Sequence, residues 1–296
     1  LARQPAPDRR YCARRCCCEG LALVAATLSA PVTMAVVIEN AALSPGAEYA
    51  CLALAAACPI FVIFSYLHCG YRSSVLGKQM LITALEAVVW LVPLMGFHVL
   101  VAVAGKHVEP FRVWYECKCP RSEDDDVCNE SAGCHVQDAV RAFILAALFE
   151  EALKYLCIRR IAFASCVVDA RGLFVYGGCA ALGFSLVENV SYVLRGGINV
   201  AIGRSILTVP AHVAWGLMQG CALGRRRFLN RPIHYYHALL LPVLSHGLYD
   251  WLLFHFRRRG GGELKTVGVL GAVGVLVLTW LYVRKLAVEL ESVPAV

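Results

Sequence analysis

The sequence predicts an all-α fold, a polytopic bundle of about eight transmembrane helices. Three observations carry that prediction. Hydrophobic residues make up 59% of the 296-residue chain and charged residues 17%, where a soluble domain carries about a quarter. Mean hydropathy is +0.61. Apolar runs of spanning length recur along the chain, and Lys and Arg fall in short clusters between them, as in cytoplasmic loops. A water-soluble fold of this composition would lack polar surface. The formal net charge of +7 therefore belongs to loop clusters. It forms no basic face with interleaved aromatics, so nucleic acid is not an expected partner.

A spanning helix needs roughly 20 mostly apolar residues. The segments that qualify are 21–38, 50–67, 79–104, 138–157, 173–194, 200–224, 235–256 and 266–283. The chain begins at Leu1, which suggests a fragment or processed product. Its arginine-rich start leads into a full span rather than a short apolar region with a cleavage site, so no secretory signal peptide is expected. Residues 1–20 read as a basic, cysteine-rich cytoplasmic N-terminus. Cys16, Cys17 and Cys18 abut the first span, and are either palmitoylated or plain reduced thiols. Residues 21–104 hold three helices. Glu86 and His98 on the third match no motif and read as packing or lipid-interface residues.

Residues 105–137 form a long acidic loop with Glu123, Asp124, Asp125 and Asp126. It carries Cys117, Cys119, Cys128 and Cys134, and a glycosylation sequon at Asn129. Orientation puts this loop outside, where disulfides persist. A zinc site from these cysteines with His135 is the alternative, but the spacing matches no standard ligand pattern. The second sequon, at Asn189, lies inside a span and is expected to be unusable. Residues 138–256 hold four spans with unusual polar residues, and 257–296 a basic loop and a last helix. Basic residues at the N-terminus, at Arg72 and Lys78, at Arg159 and Arg160, and at Arg225, Arg226 and Arg227 all fall on one side. Arg257, Arg258 and Arg259 break that pattern and leave the last connection open. The Arg225 cluster reads as a topology anchor that can also touch anionic lipid.

Ionisable side chains inside a span cost a few kcal/mol each on insertion scales, so they call for a partner or a function. The four spans contain Glu150, Glu151, Lys154, Glu188, His212, His246 and Asp250. Lys154 lies four residues after Glu150 and three after Glu151, so it can neutralise a carboxylate on its own helix. The two glutamates are about 100° apart around that helix, which suggests separate roles. His246 and Asp250 share a face, as do Phe184 and Glu188. Gly177, Gly178, Ala181 and Gly183 would let a neighbouring helix come close. A carboxylate in an apolar cavity can serve as general base or acid, and an imidazole can donate to a developing oxyanion. Such a set can hydrolyse a peptide bond without a nucleophilic serine. The same groups are good metal ligands; no HExxH is present, so zinc has no motif-level support and no cofactor is expected, with metal-dependent hydrolysis left open.

These residues carry a family resemblance. Phe149-Glu150-Glu151-Ala152-Leu153-Lys154 resembles the EExxK motif of the PrsW intramembrane glutamic-type proteases. Gly183-Phe184-Ser185-Leu186-Val187-Glu188-Asn189 resembles their FxxxE motif followed by asparagine. His212 and the pair His246 and Asp250 resemble the third and fourth motifs. The set occurs in order over roughly residues 138–256. The family is related to the CAAX-prenyl proteases and bacteriocin-processing enzymes, and more remotely to the Aph subunit of gamma-secretase. In the CAAX proteases the second motif supplies histidine where this chain has Glu188.

The resemblance implies an intramembrane endopeptidase that cuts membrane-anchored protein substrates within a lipid bilayer. Glu150 or Glu151 would be the base, with Glu188 or His212 assisting. His246, with Asp250 nearby, would polarise the carbonyl. Lys154, Phe184 and Asn189 would support them. The expected location is an integral, multi-pass position in an endomembrane or plasma membrane. A non-catalytic scaffold for a partner helix and a proton-coupled transporter are the rival readings. Intact carboxylate motifs speak against the first, and the lack of an evident inverted repeat against the second. A buried ion network, or helix-to-helix hydrogen bonds from the histidines, would be the plainest account of the polar residues. Tyr192, Trp215 and Trp251 read as interfacial or core aromatics.

Overall fold

The computed structural model describes residues 31–39, 44–71, 75–107, 132–165, 167–258 and 262–291. All regular elements among the described residues are helical. They are α1 (31–39), α2 (Pro45–Tyr71), α3 (Gly77–His107), α4 (Ala132–Ala139), a π-helical stretch (Val140–Leu148), α5 (Phe149–Ile161), α6 (Ala170–Ile206), α7 (Thr208–Phe228), α8 (Tyr235–Arg258) and α9 (Gly262–Glu291). The disulfide and glycosylation candidates Cys117, Cys119, Cys128 and Asn129 lie outside the described residues, as do Cys16 to Cys18 and the side chain of Cys134.

Three stretches among the described residues are long and apolar enough to cross a membrane by length and composition: Pro45–Tyr71, Ala170–Phe228 and Glu263–Leu290. Apolar side chains also face outward in stripes. Leu81, Leu85 and Val89 on α3, four residues apart, are all exposed, as are Leu270, Leu278 and Leu281 on α9. Residues at this spacing share one helix face. Lipid matches such a face, whereas a soluble monomer rarely shows contiguous apolar patches of this kind.

The chain divides into two compact units, Leu1–Gly70 with Glu188–Val209, and Tyr71–Val187 with Pro210–Val296. In the first, Leu52, Ala55 and Ala56 of α2 pack with Val193 and Ala201 of α6, and Met34 and Ile38 of α1 join them. Pro59 lies inside α2 and cannot donate to the ladder. Next to that break, the Ala56 carbonyl accepts from Asn189 Nδ2 at 2.7 Å.

The second unit is held by close helix approaches. A methyl group on Gly177 of α6 would run into the Gly216 carbonyl of α7, and one on Gly220 into the Leu173 carbonyl. Gly216, Gly220 and Gly224 sit one turn apart, so a single stripe of α7 meets α6 without side chains between. Gly183 makes the same close approach to Ala84 of α3. Three of the four small residues singled out in the sequence thus lie at helix contacts, Ala181 Cβ facing Gly216. α8 packs on the π-helical stretch, on α5 and on α9, and Gly247 leaves room for the Phe143 ring.

Two boundaries differ from expectation. The span expected at 138–157 is the middle of one continuous rod from Ala132 to Ile161: the junction residues Ala139 (φ −64, ψ −46) and Leu148 (φ −62, ψ −49) are both helical. Hydropathy cannot register a change of hydrogen-bond ring. The break expected near 195–199 falls at Gly197 (φ 73, ψ −167), a non-helical residue between two helical segments of α6, but a second break is not expected from the sequence. The helix resumes and ends at Ile206, and α7 follows after Leu207. Pro210 falls in the first turn of α7, where its missing N–H costs little.

α8 and α9 are antiparallel neighbours: Gly268 of α9 lies against Phe256 of α8, and Gly271 against Leu252. The opposite end of this unit is basic. There Arg227 donates to the Ala162 carbonyl, Arg171 Nε to the Leu290 carbonyl at 3.4 Å, and Arg225 pairs with Glu289 at 3.4 Å.

Candidate functional site

α5, α7 and α8 each bring polar side chains to one buried point of the second unit. Glu151, Lys154, His212, Gln219 and His246 are all at most 2% exposed, and Glu150 is 7% exposed. Burying charge is tolerated only where partners satisfy it. Here they do. Lys154 Nζ donates to Glu151 Oε1 at 2.6 Å and to His212 Nδ1 at 2.8 Å. His246 Nδ1 is 2.8 Å from the same Glu151 oxygen. Gln219 Nε2 donates to Glu151 Oε2 at 2.8 Å and to the Glu151 carbonyl at 3.2 Å. Both carboxylate oxygens of Glu151 are therefore engaged, by three side chains from three helices.

Aromatic rings wall the cluster. Trp215 stacks on His246 with ring centroids 4.0 Å apart and planes 12° from parallel. His212 meets His246 edge-on at 5.2 Å. The Lys154 ammonium lies 4.8 Å from the Phe184 ring centroid, a favourable placement for a cation over a π-face.

Glu150 is oriented differently from Glu151. One donor atom from each of Glu150, His212 and His246 falls within 4.8 Å of the others. His246 Nε2 is 3.9 Å from Glu150 Oε2 and 3.3 Å from Asp250 Oδ2. These three side chains thus converge on one point, while Glu151 stands behind His246.

A metal there would need lone pairs from two imidazoles and a carboxylate, a set that suits zinc. His246 meets that need: its Nδ1–H is held by Glu151, which leaves Nε2 as the outward nitrogen. His212 does not. With the Lys154 ammonium donating to its Nδ1, a neutral ring carries its proton on Nε2, and that nitrogen would have to lose it before it could ligate. As arranged, the set fits a water better than a metal.

Glu188 and Asn189 lie in the other unit. Arg204 Nη2 is 3.1 Å from Glu188 Oε2, and Arg204 Nε donates to Asn189 Oδ1 at 2.8 Å. The same guanidinium sits over the Tyr192 ring at 4.4 Å.

A profile of the family described as "PrsW family intramembrane metalloprotease" matches residues 86–282. The chain belongs to the PrsW family. Among curated proteins, "Protease PrsW" of Geobacillus kaustophilus is 34% identical over 132 residues, covering 43% of this chain and 58% of that protein. "Protease PrsW" of Halalkalibacterium halodurans is 34% identical over 125 residues, covering 41% and 58%. The Bacillus subtilis protein of the same name is 32% identical over 117 residues, covering 38% and 53%. The chain thus spans somewhat more than half the length of these relatives. No solved structure matches it.

Within this PrsW family member, sequence reasoning missed three residues of interest. Gln219 and Trp215 lie seven and three residues after His212, on the same face of α7, and that spacing was the available signal. Arg204 lies 16 residues after Glu188, beyond the Gly197 kink, where no helical spacing rule reaches. A second buried polar pair also went unread: His255 Nδ1 is 3.7 Å from Asp138 Oδ2, and Trp251 stacks on His255 at 4.8 Å.

Proposed function

We propose that this PrsW family member is an intramembrane endopeptidase that hydrolyses peptide bonds of membrane-anchored proteins with a water held by Glu150, His212 and His246. The observation that carries the reading is the convergence of those three buried donor groups within 4.8 Å. Glu150 is the general base. It takes a proton as the water oxygen attacks the carbonyl carbon. His212, with Nδ1 occupied by Lys154, offers Nε2–H to orient the water. His246 acts as the imidazolium, with Nδ1–H on Glu151 and Nε2–H on the side of Asp250, 3.3 Å away, and donates Nε2–H to the oxyanion as the tetrahedral intermediate forms. When the C–N bond breaks, Glu150 returns its proton to the amine nitrogen.

Glu151 is a positioning residue in this scheme. Its two oxygens are already bonded, and its task is to fix the ring direction of His246. Lys154, Gln219 and the Phe184 ring hold Glu151 in turn. Glu188 is read as the acidic member of the pair with Arg204, and Asn189 as a helix-to-helix anchor. No step is routed through a metal, because the His212 proton pattern opposes ligation. The membrane arrangement proposed with it is eight spans, with residues 138–256 as the catalytic core. The disulfides among Cys117, Cys119, Cys128 and Cys134 and the glycan at Asn129 remain part of that proposal for an outward-facing loop.

The test is cleavage of a membrane-anchored reporter by the full chain in proteoliposomes, with and without a chelator. Glu150→Gln and His246→Ala are expected to lose cleavage by about 10²- to 10⁴-fold, the usual worth of a positioned acid–base group. Chelation is expected to leave the rate unchanged. Folded Glu150→Gln, Glu188→Gln and His246→Ala variants that all cut like wild type would show that the chain is no such peptidase.

A further inference from the structure

Away from the Glu/His cluster, at the basic end of the second unit, a cavity of about 340 Å³ opens between the end of α7, the following loop, the start of α8 and the end of α9. Its wall is of two kinds. Arg225, Arg231 and His237 line one part, and Met218, Leu241 and Leu286 another; no acidic side chain lines it.

The neighbouring arginines are otherwise engaged. Arg226 lies over the Tyr235 ring at 4.7 Å, and Arg227 donates to the Ala162 and Ala164 carbonyls. Arg225 is 3.4 Å from Glu289, which itself is 41% exposed at the side chain. Arg231 is exposed at the mouth. Two guanidinium groups against one carboxylate leave the cavity net positive, and guanidinium is the donor geometry that suits phosphate.

The apolar part points to the rest of the ligand. Leu241 begins a stripe with Leu244 and Leu248, three and seven residues on, all exposed along the same face of α8. A free anion would have no use for such a track, whereas an acyl chain leaving the cavity would lie along it. The volume is at the lower end of the about 300–1,000 Å³ range of small-ligand sites, enough for a headgroup and the start of one chain. The basic clusters mark this as the cytoplasmic end, where anionic lipids concentrate and basic pockets between spans take their headgroups.

We propose that this cavity binds the phosphate of an anionic phospholipid, with Arg225 and Arg231 on the phosphate and one acyl chain along Leu241, Leu244 and Leu248. Binding is independent of the peptidase reading, because the readout is lipid retention.

The experiment is native mass spectrometry of the full chain released from mixed micelles of phosphatidylglycerol and phosphatidylcholine with matched acyl chains. One phosphatidylglycerol should be retained in preference to phosphatidylcholine. Arg231→Gln should lower that retention about tenfold, the usual worth of a charge-assisted hydrogen bond, and Arg231→Lys should lower it less. Arg226→Gln, which alters only the contact with Tyr235, should retain lipid like wild type. Arg231 is exposed, so its variants should fold, and an unchanged thermal midpoint checks that they do. Equal retention of the two lipids would overturn the proposal. So would full retention by Arg231→Gln, or displacement of phosphatidylglycerol by millimolar inorganic phosphate, which would mark a free-phosphate site.

Discussion

Lys154 and Gln219 hold a single carboxylate from α5 and α7, so each predicts a distinct loss. Removing Lys154 as Lys154→Met takes the ammonium partner from buried Glu151, and breaking a buried pair this way costs about 3–5 kcal/mol. Thermal unfolding in detergent should show a strong drop, and cleavage should fall with it. Gln219→Leu removes one hydrogen bond to a charged group, worth about 1.5–3 kcal/mol. It should fold, bind reporter with an unchanged KM and lose kcat, because only the direction of His246 is altered. An altered KM with kcat intact would mean that Gln219 meets the substrate instead. Of this cluster, Glu150, Glu151, Lys154, His212 and His246 were legible in the sequence through motif spacing. The partition of roles between the two glutamates was not. It depends on Gln219, 68 residues downstream of Glu151, and on a Trp215 ring whose stacking no single-helix pattern encodes.

Helix contacts follow from where side chains are missing. Gly216→Ala places a methyl group against the Gly177 carbonyl and the Ala181 Cβ, and backbone cannot yield as a flexible side chain can. A loss of about 1–3 kcal/mol is expected from such overpacking. Gly274→Ala on α9 is the matched control. Open space surrounds that position, so helix propensity alone should make it more stable by up to about 1 kcal/mol. Paired thermal midpoints of the two variants check the contrast. Hydropathy located α2, α3 and α8 to within about five residues and the middle of α9, which runs on to Glu291, since a long apolar run has one stable solution in lipid. It placed a break at 195–199, where Gly197 separates two helical segments, but read the second segment and α7 as one span across the end at Leu207. Nor could it foresee the π-helical stretch, in which i→i+5 bonds replace i→i+4 immediately before Glu150. π segments recur at functional sites, and this nine-residue one ends directly before Phe149 and the two glutamates.

For the larger unit, the distribution of charge and the antiparallel α8–α9 pair predict an orientation. Arg159, Arg171, Arg225 and Arg227 gather at one end of the second unit, tied to Ala162, Tyr235, Glu289 and Leu290. Arg258 ends α8 at the other. With α8 and α9 antiparallel, the larger cluster is expected to override Arg257 to Arg259 and to face the cytoplasm. Single reactive cysteines placed at position 230 and at position 260, in a background without other accessible thiols, should be labelled from opposite membrane faces. Labelling of both from one face would mean that α8 and α9 do not both span.

The most direct test of the account compares Glu150→Gln with Glu151→Gln for reporter cleavage and for thermal midpoint in the same proteoliposomes. Glu150→Gln should keep the wild-type midpoint and lose cleavage by at least about 10²-fold, as expected for a general base. Glu151→Gln should lower the midpoint, because its partners Lys154, His246 and Gln219 all lose a charged acceptor. Wild-type cleavage by Glu150→Gln, with Glu151→Gln inactive at an unchanged midpoint, would reverse the two roles and contradict the account.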